Sequence, residues 1–133
     1  MLPRIASWVF LATGVIIGLG AFGHDSNATK LAVEFAKFPA FDAKTQSVVM
    51  AVWHFCSGCM LTFGLVCVWT WWRARRDPSP GFFATDVIGV FYAAAGLLTV
   101  WFTGIAFFWL FFGLGAALLV SSLPLRVGRS DGR

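Results

Sequence analysis

Residues 82–120 read FFATDVIGVFYAAAGLLTVWFTGIAFFWLFFGLGAALLV, and they carry a single formal charge, at Asp86. One bilayer crossing takes about 20 apolar residues, so this run is long enough for two. Thr103-Gly104 lies near its middle and is the natural hairpin point. The run therefore divides into spans at about 82–101 and 105–123. Two more apolar runs precede it. One extends over 47–72 and stops at Arg73-Ala-Arg-Arg-Asp, with Pro78 and Pro80 marking a turn; the other covers 5–23. The expected fold is all-α, a single domain over 1–133 built as a four-transmembrane-helix bundle. A polar loop, 24–46, joins the first two spans, and the tail 125–133 reads as loose.

Composition agrees. Hydrophobic residues make up 59% and charged residues 12%, about half the charge of a soluble domain. A chain this short cannot hide that much apolar surface, so the surplus is expected to face membrane lipids. The run 5–22 is too long for a signal-peptide core, and no clean small-residue cleavage site follows it, so it reads as a retained span. The three cysteines all fall inside one apolar run, which weighs against a disulfide framework. No basic patch interleaved with aromatics appears, so no nucleic acid is expected as a partner.

Charge asymmetry sets the expected orientation. Arg4, Arg73, Arg75, Arg76, Arg126, Arg129 and Arg133 collect on one side. Lys30, Lys37 and Lys44 lie on the other, balanced by Asp25, Glu34 and Asp42. The arginine side is expected to be cytoplasmic, with both termini there. Trp69, Trp71 and Trp72, with Trp8 opposite, would form the inner aromatic belt; Trp101 and Trp109 would mark the outer one. No organelle signal is visible, which makes a bacterial inner membrane the default location.

The loop has its own pattern. Ala28, Leu31, Ala32, Phe35 and Phe38 recur at helical spacing, with Lys30, Glu34 and Lys37 between them. This predicts a short amphipathic helix on the outer membrane surface, capped by Ser26 or Asn27 and ended by Pro39. Asp42 is then the N-cap of the second span. Asn27-Ala28-Thr29 matches a glycosylation sequon, but it lies too near the membrane to weigh much.

His24 and His54 are the two histidines. His24 lies 20 residues beyond Arg4, and His54 lies 19 before Arg73. At 1.5 Å per residue both are about 30 Å from the arginine side. They can therefore meet at the outer boundary, with Asp25 and Met50 at similar depth. Such a pair suits a metal, a haem iron or a quinone carbonyl; the plain alternative is two interfacial residues bonded to loop carbonyls. The string His54-Phe-Cys56-Ser-Gly-Cys59-Met60 offers a second candidate. At 100° per residue Cys56, Cys59, Met60 and Cys67 share a face, and His54 points about 160° away from Cys56. A Cys56/Cys59/Met60 face suits Cu(I), although small soft residues more often just pack.

Small residues mark expected helix contacts: Gly14 and Gly18 in span one, extended by Ser7 and Ala21; Gly89, Ala93 and Gly96 in span three; Gly113 and Ala117 in span four. Asp86, near the inner face, is expected to pair with Arg73 or its neighbours Arg75 and Arg76, with Thr85 sharing the helix cap. No phosphate loop, nucleophile elbow or pair of carboxylates appears, so no catalytic residue is assigned and an enzyme is the less favoured reading.

Gly23-His24 closing the first span and Trp53-His54 in the second, followed by Ser57-Gly58 and Gly64, resemble small bacterial four-helix membrane proteins of unassigned function. The resemblance covers the first two spans. It implies a fold and no reaction.

Three functional expectations follow. The first is a small integral subunit or accessory protein of a larger membrane assembly, bound to other membrane subunits or to itself. The second is a cofactor protein that holds haem, copper or quinone through His24 and His54. The third is a small oligomeric transporter, ranked last because Thr13, Thr62 and Thr99 are nearly all the polar lining the spans offer.

Overall fold

The computed structural model describes residues 2–37, 42–77 and 81–127. Among these the chain is all helix, without a strand. The helices are α1 (Leu2–Ser26), α2 (Ala28–Ala36), α3 (Ala43–Ala74), α4 (Phe83–Thr103) and α5 (Trp109–Val127). Four of them are long and apolar enough to cross a membrane. Only Asn27 separates α1 from α2, and its backbone stays in the right-handed helical region, so neither Ser26 nor Asn27 becomes the expected cap. A side-chain cap needs an extended backbone at that position. Both side chains instead donate to the Gly23 carbonyl, at 2.9 and 2.8 Å, and close the end of α1. Pro39, the expected end of the loop helix, lies outside the described residues; α2 ends at Ala36.

Asp42 does cap α3. Its backbone is extended and its Oδ1 accepts from the Thr45 N–H at 2.7 Å. That bond holds the carboxyl below the usual carboxylate range. With 32 residues, α3 is about 48 Å long, so its polar first turns extend beyond the apolar run. Gly104 ends α4 at φ +68°, a left-handed position that costs glycine nothing. A 3₁₀ turn over Ala106–Phe108 then leads into α5.

The expected loose tail begins with order. α5 runs through Pro124 to Val127. Leu125 packs on the core, and Arg126 pairs with Asp86 across the α4–α5 hairpin while bonding Ser122 at 3.0 Å. This corrects the expected Asp86–Arg73 pair: Arg73 turns to Asp77 one helical turn on, at 2.8 Å. The last turn of α5 lies nearer to Asp86 than the short α3–α4 connection brings its arginines. Thr85 does not cap either; its hydroxyl donates to the Phe82 carbonyl at 2.8 Å.

The most extensive contacts join α1 to α3 and α4 to α5. α1 also packs on α5, whereas α3 and α4 meet sparingly. Phe63 bridges that seam, edge-on to Phe91 and Tyr92. Phe10, Ile17, Cys67, Phe82, Tyr92 and Leu118 lie in the core.

Glycine sets both close approaches. A Cβ on Gly64 would stand 2.4 Å from the Gly18 Cα, and one on Gly14 would stand 2.6 Å from the Cys67 Cβ. In the second hairpin a Cβ on Gly96 would meet the Phe112 N at 2.3 Å. On α5 the contact residue is Gly115, whose Cβ would lie 2.4 Å from the Ala93 N. The expected Gly113 faces open space and Ala117 is half-buried. Residues 113 and 115 point about 200° apart, so only one of them can face α4.

Candidate functional site at the histidine end

Both histidines sit where α1 lies beside α3, at the end remote from the arginines. Each reaches across to the other helix. His24 Nδ1 and Ser57 Oγ are 2.9 Å apart, and the His24 ring stacks on Trp53 at 3.9 Å between centroids with 16° between planes. The Trp53 indole N–H donates to the His24 carbonyl at 3.0 Å, and that carbonyl also accepts from the Asn27 N–H at 3.2 Å. The Ser57 hydroxyl donates to the Trp53 carbonyl at 3.3 Å. That pattern matches a His24 that donates from Nδ1 and keeps Nε2 as an acceptor. The second crossing is His54 Nδ1 to Asp25 Oδ1, at 2.6 Å, with both side chains about half exposed.

The two crossings are reciprocal: α1 supplies His24 and Asp25, and α3 supplies Ser57 and His54. Each imidazole uses Nδ1 for the crossing, so Nε2 of a neutral ring is the nitrogen left to bind something else. A carboxylate on the far nitrogen is the arrangement that orients and strengthens histidine ligands of metals and haem. Among the described residues, however, no three His, Cys, Asp or Glu side chains are placed to hold one metal ion. An acceptor Nε2 suits a metal centre that brings donors of its own, such as a haem iron, whereas a hydrogen bond to a quinone carbonyl requires that nitrogen to be protonated.

The thiol face is dispersed. Cys56 is exposed and Cys59 half-buried. The Met60 methyl reaches to 3.0 Å from where a Cβ on Gly20 would be, and Cys67 is buried against Gly14. Met60 and Cys67 thus face α1 rather than joining Cys56.

The sequence reading singled out the histidines and passed over Asp25, Trp53 and Ser57 as their partners. The signal was present. Trp53, Ser57, Met60, Gly64, Cys67, Trp71 and Ala74 alternate by four and three, the spacing of a seam between two helices. Along this seam Trp53 and Ser57 meet α1 at His24, Met60 at Gly20, Gly64 at Gly18, Cys67 at Gly14, and Trp71 at Ser7 through a 2.9 Å hydrogen bond.

Tyr92 is a further residue that the sequence did not flag. It is buried on α4 and stacked on Phe111 at 5.7 Å, and its hydroxyl meets no hydrogen-bond partner among the described residues.

Comparison with protein-family profiles, curated proteins and solved structures found no match for this chain.

Proposed function

We propose that this chain is a small integral subunit or accessory protein of a larger complex in a bacterial inner membrane, with both termini in the cytoplasm. The observation that carries the reading is the α4–α5 hairpin. Phe83, Trp101 and Phe102 are each at least 80% exposed, and Ile105, Phe107 and Trp109 are at least half exposed. Part of that surface meets lipid. Its concentration of rigid aromatic rings, on a hairpin that holds no reactive group, suits packing against neighbouring helices. The first helix starts and the last helix ends at the arginine end, which supports the shared location of the termini.

Purification from the native membrane in mild detergent tests this. The expected result is a stable complex with larger membrane proteins, disrupted by replacing Trp101 and Phe102 with alanine. A protein that runs as a monomer with no companion overturns it.

A second reading is favoured by one specific observation, the His54–Asp25 pair with Nε2 left over. It makes the chain a membrane protein that binds haem, copper or quinone through His24 and His54. A visible absorbance band or bound metal in the purified protein supports it. Cofactor content unchanged in the His24→Ala, His54→Ala double variant removes it.

A further inference from the structure

Helix α3 leaves its last turn with an uncommon arrangement of cations. The Arg75 guanidinium lies 4.8 Å over the Trp71 ring, and that of Arg76 lies 4.1 Å over the Trp72 ring. Each stacks on the indole one turn back along its own helix, so the pair is held in place by local geometry. The cations nearby are paired: Arg73 with Asp77 and Arg126 with Asp86. Among the described residues no carboxylate pairs with Arg75 or Arg76, and both are exposed.

The surface beneath them is apolar and faces outward. Leu61, Leu65, Trp69 and Trp72 are 37%, 61%, 58% and 39% exposed. At 100° per residue they fall within about 80° of one another on α3, and Arg76 falls in the same sector. Trp69 and Trp72 stack at 5.1 Å and make a flat wall at the top of this stripe. From Leu61 to Arg76 the stripe is about 22 Å long, more than half the roughly 30 Å hydrocarbon thickness. A stripe at least one leaflet deep, ending in a forked cation with no carboxylate partner, accommodates one phospholipid: acyl chain along the leucines, phosphate at the guanidiniums.

We propose that Arg75 and Arg76, each stacked on its own indole, form a binding site for the headgroup of an anionic phospholipid in the leaflet on the arginine side. The cationic cap selects net negative headgroups, and the stripe below excludes ligands without a tail. The site rests on the membrane reading of the preceding subsection and does not depend on what else the protein binds.

The test uses the full-length protein, freed of lipid in detergent and examined intact by mass spectrometry. Phosphatidylglycerol and phosphatidylcholine with identical chains are offered together, and glycerol phosphate is offered separately. The expected result is preferential retention of phosphatidylglycerol, falling about fivefold for each guanidinium removed in Arg75→Gln and Arg76→Gln. Equal retention of the two lipids by the unaltered protein overturns the proposal, and that result needs no variant to fold. Glycerol phosphate binding as tightly as the lipid also overturns it, in favour of a soluble phosphate. Alkaline carbonate extraction of native membranes separates the two levels. Release into the supernatant refutes the membrane reading itself, whereas retention without lipid preference refutes only the site.

Discussion

Single side chains divide into those the helices close upon and those left open. Gly64 is the tightest point between α1 and α3, where an added Cβ meets backbone rather than a movable side chain. Gly64→Ala must push the helices apart. The expected cost is about 1–3 kcal/mol, read as a lower midpoint in detergent-titrated unfolding. Gly113→Ala meets open space and should leave that midpoint unchanged or slightly raised, since alanine favours helix. Gly113 looked equivalent to Gly14 and Gly96 in the sequence because small-residue spacing shows that a stripe exists but not which way it faces. Tyr92 provides a second test at this scale. A buried hydroxyl without a partner is a net cost, so Tyr92→Phe should be neutral or stabilising in the same assay. A clear loss of stability would mean that the hydroxyl has an acceptor, such as a bound water or ligand.

Among elements, the hairpins differ in what fastens them. The α1–α3 pair is zipped from Ser7–Trp71 at one end to His24–Ser57 at the other, and the four-and-three spacing on α3 made that seam readable in principle. The α4–α5 pair is pinned at its open end by Asp86 and Arg126. Removing either charge leaves its partner half-buried without a counter-charge, so Asp86→Asn and Arg126→Gln should each destabilise. The double variant should lose less than the sum, with a coupling of about 1 kcal/mol for a partly exposed pair. The start of α3 depends on pH. The Asp42 carboxyl is lowered in the folded state by its bond from the Thr45 N–H. A depressed carboxylate contributes stability above its unfolded pKa, and that contribution disappears as pH falls through the folded pKa. Protection of the Thr45 amide, taken relative to the unstructured exchange rate at the same pH, should therefore fall at acidic pH in the native chain and show no such fall in Asp42→Ala.

For the whole molecule, the testable matter is sidedness. The charge asymmetry predicts that Lys30 and Arg76 lie on opposite sides of the membrane. With Cys56, Cys59 and Cys67 replaced by alanine, an impermeant thiol reagent applied to intact cells should label Lys30→Cys and miss Arg76→Cys. Labelling of both, or of Arg76→Cys alone, would overturn the orientation. The four-helix plan was legible because each long helix is an almost uncharged apolar run, and such a run stands out in one dimension. The order of packing was not legible. Nothing in the runs themselves says that α1 lies against both α3 and α5 while α3 and α4 barely meet.

What this sequence determined by itself was its helices, their approximate ends and the end of the bundle that gathers arginine. Those properties follow from local hydropathy, helix rise and charge, which accumulate residue by residue. Asp42 as a cap and Gly104 as a turn were readable for the same reason: each acts on backbone within one turn of itself. The tertiary structure alone decided that Arg126 rather than Arg73 holds Asp86, that Gly115 rather than Gly113 faces α4, and that His24 and His54 bond Ser57 and Asp25. Each of these depends on the rotation of one helix about its axis relative to another. A change of two positions in that register turns a contact face outward, and the register is set by side-chain packing along the whole seam.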